Sequence, residues 1–581
     1  MTDPHIPGNI ALGVNAEDAH YEKLPSTLES RSALDRIMSD QMVMMRDGVR
    51  LATDVYLPTG NGPFPSILTR LPYGKTEPWT YLPVIAKFWV RREYAAVVQD
   101  VRGKWGSEGV FAANSGEQED GYDTLAWISQ QPWSNGKVGM WGESYYGFTS
   151  YAAAATQHPA LACIAPGNIS LDRYASTMRY GCLQLNTVGT WAIIMADQTY
   201  QELAEIDYWH LPLADLAKHA GVRSDYFERL IANPERSEFW EQRSVLSGYD
   251  NIQIPVLHLG GWYDNYLGPM IVDWQRMVQT NIEAQHQHLF IGPWDHNGSA
   301  DSTGRVGKLP VAKGIAEARW DTIGAFFDHY LMGISNEFGQ NGAVRYFVMG
   351  KDRWRDAPTW PPPQSRMTPI YLRSSGGAKT LKGDGRLTWH KPTTNETHDT
   401  YTYDPTDPVA DTLAIDCWNI SEEMGDRREV EEREDVLVYT SEPFAEGLEL
   451  TGPILAKLYF ASSAVDTDVT VALVDVDPTG HANLIQDGIL RTRYRTGTEQ
   501  PELMIPGEIY ALEIDLWSSS YALGSGHRLR IEISSSCFNR YDRNLNTGDP
   551  LGIGDNPLTA TQIVYHDAKR PSHVMLPIYM E

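Results

Sequence analysis

Residues 136–155 read GKVGMWGESYYGFTSYAAAA: a short apolar run, then Gly-Glu-Ser, two tyrosines with a glycine, and a run of alanines. An apolar run that stops at a serine and passes into small residues reads as strand, sharp corner and helix. Such a corner lifts Ser144 to the C-terminal edge of the strand and aims a helix N-terminus at it, the placement of a nucleophile. The strict elbow pattern G-x-S-x-G asks for glycine two residues after the serine. Here that position is Tyr146, and the glycine comes one later, at Gly147. The bland alternative is a serine that only caps a helix, and the rest of the chain must decide between them.

Outward from this corner, short strands alternate with helical segments, which implies a parallel sheet with helices on both faces. Upstream lie FPSILTRLPYG (64–74), YAAVVQDVRG (94–103) and the helical DGYDTLAWISQQPW (120–133). Alternation in residues 40–58 around Asp47-Gly48 predicts an antiparallel hairpin. Residues 1–38 read as a polar arm that frays or reaches over a neighbouring subunit of a homo-oligomer. The α/β pattern runs over 39–170 and resumes over 250–355 with IPVLHLGGWYDNY, HQHLFIGPWDHNG and a helix at 319–333. Between them, residues 171–249 read as an aromatic-rich helical insertion without strand signal. WRDAPTWPPPQSR (354–366) reads as an extended linker, and 356–581 as a β sandwich or jelly roll of short strands with turn signals.

The chain has 581 residues, enough for several domains, and 48 basic against 75 acidic side chains, net −27. Such a surface repels nucleic acid. The N-terminus lacks the basic and apolar regions of a signal peptide, and no run approaches the ~18 apolar residues of a membrane span. A cytoplasmic protein is expected. Cys163, Cys182, Cys417 and Cys537 form no C-x-x-C pair, so free thiols are expected and no metal or cofactor site is implied.

A nucleophilic serine needs a histidine base, and the base a carboxylate to orient it. Where the serine sits on such a corner, the chain order is serine, acid, histidine. Asp264 follows the strand ending HLGG and His296 follows the strand ending LFIG, both at C-terminal strand ends, where open parallel sheets bind ligands. His258 lies inside an apolar strand and reads as a core residue; His286 and His288 sit at the wrong edge of theirs; Asp301 is the alternative acid. The N–H of Tyr145 is one donor for an oxyanion, and the loop RLPYGK supplies Tyr73, either as a hydroxyl donor or as a packing tyrosine. Loop and insertion aromatics, among them Trp141, Trp262, Tyr266, Tyr174 and Trp191, are core or pocket; as pocket they favour an apolar or aromatic acyl group.

GMWGESYYG resembles the G-x-S-Y-x-G elbow of the cocaine-esterase and X-Pro dipeptidyl-peptidase family of serine hydrolases. The likeness extends to RLPYGK, QDVRGKWGSEGVF, GGWYDNY and GPWDHNG, and to DVLVYTSEP, TDVTVALVDVDPTGHA and DRNLNTG in the C-terminal part. The resemblance implies an α/β-hydrolase domain with an inserted helical cap, followed by a C-terminal jelly roll. It implies Ser144 as nucleophile, Asp264 and His296 as its triad partners, and the Tyr73 hydroxyl in the oxyanion hole. No cofactor and no metal is implied. The expected substrate is a small-molecule ester, cleaved through an acyl-enzyme. The alternatives are an amidase or peptidase on the same machinery, or a carbohydrate-binding protein with a vestigial hydrolase, against which the complete serine, acid and histidine argue.

Overall fold

The computed structural model describes Leu24 and residues 26–200, 206–280, 284–296, 305–306, 309–310, 314–336, 338, 343–413 and 425–581. Residues 1–23 and 25 of the expected arm, Asp301 and Cys417 lie outside them.

Ten strands form the first sheet: β1 (Leu34–Met44), β2 (Arg50–Pro58), β3 (Phe64–Leu71), β4 (Ala95–Asp100), β5 (Ser134–Glu143), β6 (Leu161–Gly167), β7 (Val256–Gly261), β8 (Gln287–Gly292), β9 (Val344–Val348) and β10 (Arg353–Ala357). Their order is β1-β2-β4-β3-β5-β6-β7-β8-β9-β10. From β4 through β9 neighbours are parallel, and antiparallel pairs close both edges. The Asp47-Gly48 turn joins β1 to β2 as expected, with Gly48 at φ 88°.

The inner strands are buried on both faces, so successive side chains enter different cores. Leu68, Val97, Met140 and Ile164 meet α2 (Glu117–Ser129) and α3 (Tyr145–Ala155). Their neighbours Ile67, Ala96, Trp141 and Ala165 join the core under α1 (Leu82–Arg91) and the helix Ile315–Met332. The alanine run brings α3 close: a Cβ on Gly121 of α2 would lie 3.0 Å from the Ala153 Cβ.

Strand β1 begins at Leu34, inside the stretch read as an arm. The preceding residues are tied to their own domain: Ser26 and Thr27 bond Asp321, and Arg31 pairs with Asp328 at 2.9 Å. The linker is shorter than expected, because residues 353–357 pair with β9 and Ser365–Arg373 is already a strand of the C-terminal sheet. Trp360 between them is buried against Trp262.

The insertion is helical but broken into short pieces, and it holds a two-residue ribbon, Met178–Arg179 with Cys182–Leu183, where no strand was expected. The break has a tertiary cause. Gly181, at φ 85°, lies under the Tyr494 ring of the C-terminal domain, where a Cβ would come within 1.9 Å. Cap helices are Arg173–Thr177, capped by the Asp172 carboxylate on Ala175 N–H, Thr190–Ile194, and Asp225–Ile231, capped by Ser224. Leu185 and Asn186 of the cap donate to the carbonyls of Arg540 and Asn539. The C-terminal domain is a mainly antiparallel eleven-stranded sheet among the described residues, centred on Leu448–Ser462.

Candidate active site

Ser144 stands between β5 and α3 at φ 52° and ψ −125°. A positive φ on a non-glycine residue is strained, and the surroundings hold it. The Ser144 N–H bonds the Gly167 carbonyl at 2.9 Å, and its own carbonyl accepts from Phe148 N–H at 3.0 Å. The glycines the corner needs are Gly142 and Gly147. A Cβ on Gly142 would lie 2.5 Å from the Tyr146 carbonyl, and one on Gly147 would lie 2.8 Å from Ile169. Position 146 faces inward instead, its ring fully buried and edge-on to Tyr73 and Trp141. A tyrosine there is a core residue, and the corner closes without the glycine of the strict pattern.

Asp264 and His296 follow β7 and β8, which are adjacent and parallel, so both side chains emerge at one sheet edge. His296 Nδ1 and Asp264 Oδ1 are 2.7 Å apart, both residues buried. The other Asp264 oxygen accepts from the Tyr266 N–H at 3.1 Å, and the Asn168 amide holds the His296 carbonyl at 2.7 Å. Tyr266 packs edge-on to the His296 ring at 5.2 Å. Asp264 thus fixes the imidazole so that Nε2 is the nitrogen left for proton transfer.

The Tyr73 hydroxyl belongs to the same cavity as Ser144. It accepts from the Trp191 indole N–H at 3.0 Å, which leaves its own proton to donate. Burial raises its pKa far above that of a free phenol, so it stays protonated. Tyr145 is the first residue of α3; its N–H belongs to the unpaired amides of the helix start. Its side chain is pinned: the hydroxyl donates to Glu117 at 2.8 Å, accepts from Asn114 N–H at 3.0 Å, and the ring stacks on Trp191.

A small cavity of about 20 Å³ opens at Ser144. Its walls include Tyr73, Tyr145, Trp191 and Tyr266, with Ile169 and Val188 between them. Trp191 and Tyr266 therefore lie where a pocket reading puts them. Trp141, Trp262 and Tyr174 do not. Trp141 packs on Trp320 beneath the sheet, because the alternation along β5 sends it to the opposite core. Trp262 is buried, its indole N–H on the Phe347 carbonyl and its ring on Trp360. Tyr174 turns away, its hydroxyl on the Pro234 carbonyl and its ring on Trp240. Four wall residues, Asn114, Ile169, Arg173 and Val188, escaped the sequence reading. Nothing local distinguishes Arg173 from the chain's other arginines.

Glu143, beside the nucleophile, is fully buried and ion-paired with Arg319, so it faces away from the cavity. His258 is a core residue as expected, 2.7 Å from the Tyr151 hydroxyl, and burial lowers its pKa to about 3. Cys163, Cys182 and Cys537 are free thiols. No described helix is long and apolar enough to cross a membrane.

Comparison with known proteins agrees with this architecture. The family described as X-Pro dipeptidyl-peptidase (S15 family) matches residues 47–298, and the X-Pro dipeptidyl-peptidase C-terminal non-catalytic domain matches 336–575. The chain is 36% identical to a protein named cocaine esterase from Rhodococcus sp. (strain MB1 Bresler), over 93% of this chain and 98% of that one. Among solved structures, an aminopeptidase from a marine sediment Thaumarchaeota archaeon superposes with TM-score 0.83 at 25% identity, covering 95% of this chain and 97% of its own. An α-amino acid ester hydrolase superposes with TM-score 0.83 at 26% identity, covering 94% and 96%.

Proposed function

Because this chain belongs to the X-Pro dipeptidyl-peptidase (S15) family of serine hydrolases, we propose that it hydrolyses carboxylic esters with Ser144 as nucleophile. The observation that carries the reading is the strained corner at Ser144, which shares its cavity with Tyr73. His296, oriented by Asp264, takes the Ser144 proton as Oγ attacks the ester carbonyl. The Tyr145 N–H and the Tyr73 hydroxyl hold the oxyanion, aided by the N-terminus of α3. His296 then gives the proton to the departing alkoxide. Water, deprotonated by His296 in turn, releases the acid from the acyl-enzyme.

The amine-recognising branches, dipeptidyl-peptidase and amino-acid ester hydrolase, need a carboxylate beside the reacting carbonyl to meet a substrate ammonium. Among the described residues lining the cavity the charged one is Arg173, and none is Asp or Glu. That favours the esterase reading.

A panel tests it: p-nitrophenyl acetate, butyrate and benzoate beside Ala-Pro-p-nitroanilide and phenylglycine methyl ester, with Ser144→Ala as control. Cleavage of plain esters, lost in Ser144→Ala, is the expected outcome. Cleavage confined to substrates with a free amine moves the assignment to the peptidase branch. Activity surviving Ser144→Ala overturns the mechanism.

A further inference from the structure

Arg173 opens the first cap helix and is 5% exposed. Its guanidinium lies 5.8 Å from the Tyr266 ring centroid and 6.0 Å from that of Phe148. Its Nε and Nη1 have no hydrogen-bond partner among the described residues. None of the described ion pairs includes it. The carboxylate next door, Asp172, is turned away onto Arg236 at 2.6 Å.

Several other buried arginines are matched. Arg70 meets Glu117 at 2.9 Å, Arg491 meets Asp468 and Asp542 at 2.9 Å, and Arg427 meets Glu532 at 2.9 Å. An arginine removed from water without a counter-charge is costly, and a planar fork of donors is the group that receives a carboxylate in two parallel bonds. Arg173 lines the same cavity as Ser144. Positive charge is reinforced behind Trp191, where the Tyr226 hydroxyl and Arg243 Nε are likewise buried without partners and both arginines act on the Tyr226 phenol.

We propose that Arg173 receives a carboxylate carried by the acyl part of the substrate, so that the preferred esters are half-esters of short dicarboxylic acids. This rests on the esterase reading above and names its substrate class. The acyl side follows from the walls. The cavity is bounded by Ser144 and by the two residues assigned to the oxyanion, but not by His296, which faces the leaving group. Ile169 and Val188 line the same cavity and suit methylenes, and its small size favours a short acyl chain. The chemistry balances as ordinary ester hydrolysis. The Ser144 Oγ–carbonyl bond forms, the bond to the alcohol oxygen breaks, and the alcohol leaves with the proton relayed by His296. Water then yields the dicarboxylate and restores Ser144.

The test compares p-nitrophenyl hemiglutarate with p-nitrophenyl valerate, its neutral counterpart in shape, on the full-length enzyme and on Arg173→Gln and Arg173→Lys. Expected is a kcat/KM at least ~10-fold higher for the charged ester. Arg173→Gln should abolish the charged-to-neutral preference in kcat/KM, whatever it does to the rate on valerate, and Arg173→Lys should restore part of the preference. Free glutarate should compete with valerate in the unmodified enzyme, which keeps the proposal testable if the variants do not fold. Equal rates for the two esters with no inhibition by glutarate overturn it, as does a parallel loss of both in Arg173→Gln. Failure of the esterase reading looks different: neither ester is cleaved in a Ser144-dependent way.

Discussion

Tyr73 carries one polar atom, and the direction of its hydrogen bond defines its role. Trp191 donates to the hydroxyl oxygen, so the phenol proton is left to serve the cavity that Tyr73 shares with Ser144. Tyr73→Phe keeps the ring and its packing on Tyr146 and removes only that donor. Loss of one oxyanion donor typically costs 10²–10³ in rate, so kcat should fall by about that factor with KM within ~3-fold. A steady-state comparison on p-nitrophenyl butyrate decides it, and a KM-dominated change would mean that the hydroxyl binds the ground state instead. His258 makes the complementary case, a histidine with no place in the reaction. The unfolded chain takes up its proton near the ordinary value of 6.5, the folded chain only near pH 3. Between these values the unfolded state binds more protons, so the contribution of neutral His258 to stability is present above pH 6.5 and is lost as pH falls. His258→Gln has no such proton to bind. Its stability deficit against the unmodified enzyme should therefore shrink on acidification, by at most about 1.4 kcal/mol per pH unit below 6.5. Urea unfolding at pH 7.5, 6.5, 5.5 and 4.5 measures the difference, and a constant deficit contradicts the argument.

At the scale of elements, the corner between β5 and α3 shows how tightly the backbone is specified. Close approach is required at Gly142 and Gly147, and position 146 is free to hold a large ring that fills the core between Tyr73 and Trp141. Restoring the strict pattern with Tyr146→Gly should harm the enzyme. Emptying a fully buried aromatic site costs about 3–5 kcal/mol, and glycine inside a helix adds about 1 kcal/mol. A lower urea midpoint for this variant is the expected readout, and an unchanged midpoint would show that the ring does no packing. The same elements explain what the sequence could reveal. Strand-then-loop punctuation sufficed to bring Asp264 and His296 to one edge, because β7 and β8 are short apolar runs ending in glycine. Which face Trp141 takes was not legible, since a strand buried on both sides has no polar alternation to mark the faces. The ribbon in the cap was not legible because Gly181 lies against Tyr494, more than three hundred residues later. Arg173 stayed hidden for a related reason: what singles it out is the lack of a partner, a property of the packed molecule and not of any local pattern.

Across the whole molecule, the C-terminal sheet positions the site by gripping the cap that covers it. Arg179 of the cap lies 3.7 Å from the Trp517 ring centroid, and its guanidinium bonds Tyr541, the Asp487 carboxylate at 3.2 Å and the Asp487 carbonyl at 2.6 Å. Asp487 also pairs with Arg540 at 2.6 Å. Both arginines are nearly inaccessible, so one carboxylate compensates two buried cations at the seam between cap and jelly roll. Burial raises the Asp487 pKa, but Arg540 and Arg179 outweigh it and hold the carboxyl below its ordinary value. The sign follows: this stabilisation is complete above the unfolded pKa of about 3.9 and is lost only as pH falls below it. Asp487→Asn keeps the shape and removes the charge, leaving Arg179 and Arg540 facing each other across the seam. Removing one partner from a buried ion pair costs about 3–5 kcal/mol, and a large drop in thermal midpoint at pH 7 is expected. Because the strain falls on the cap, kcat/KM at 25 °C should fall along with stability, as Trp191 and Arg173 lose their fixed places around Ser144. A variant that melts early yet keeps full activity below its transition would show that the jelly roll supports the fold without shaping the pocket.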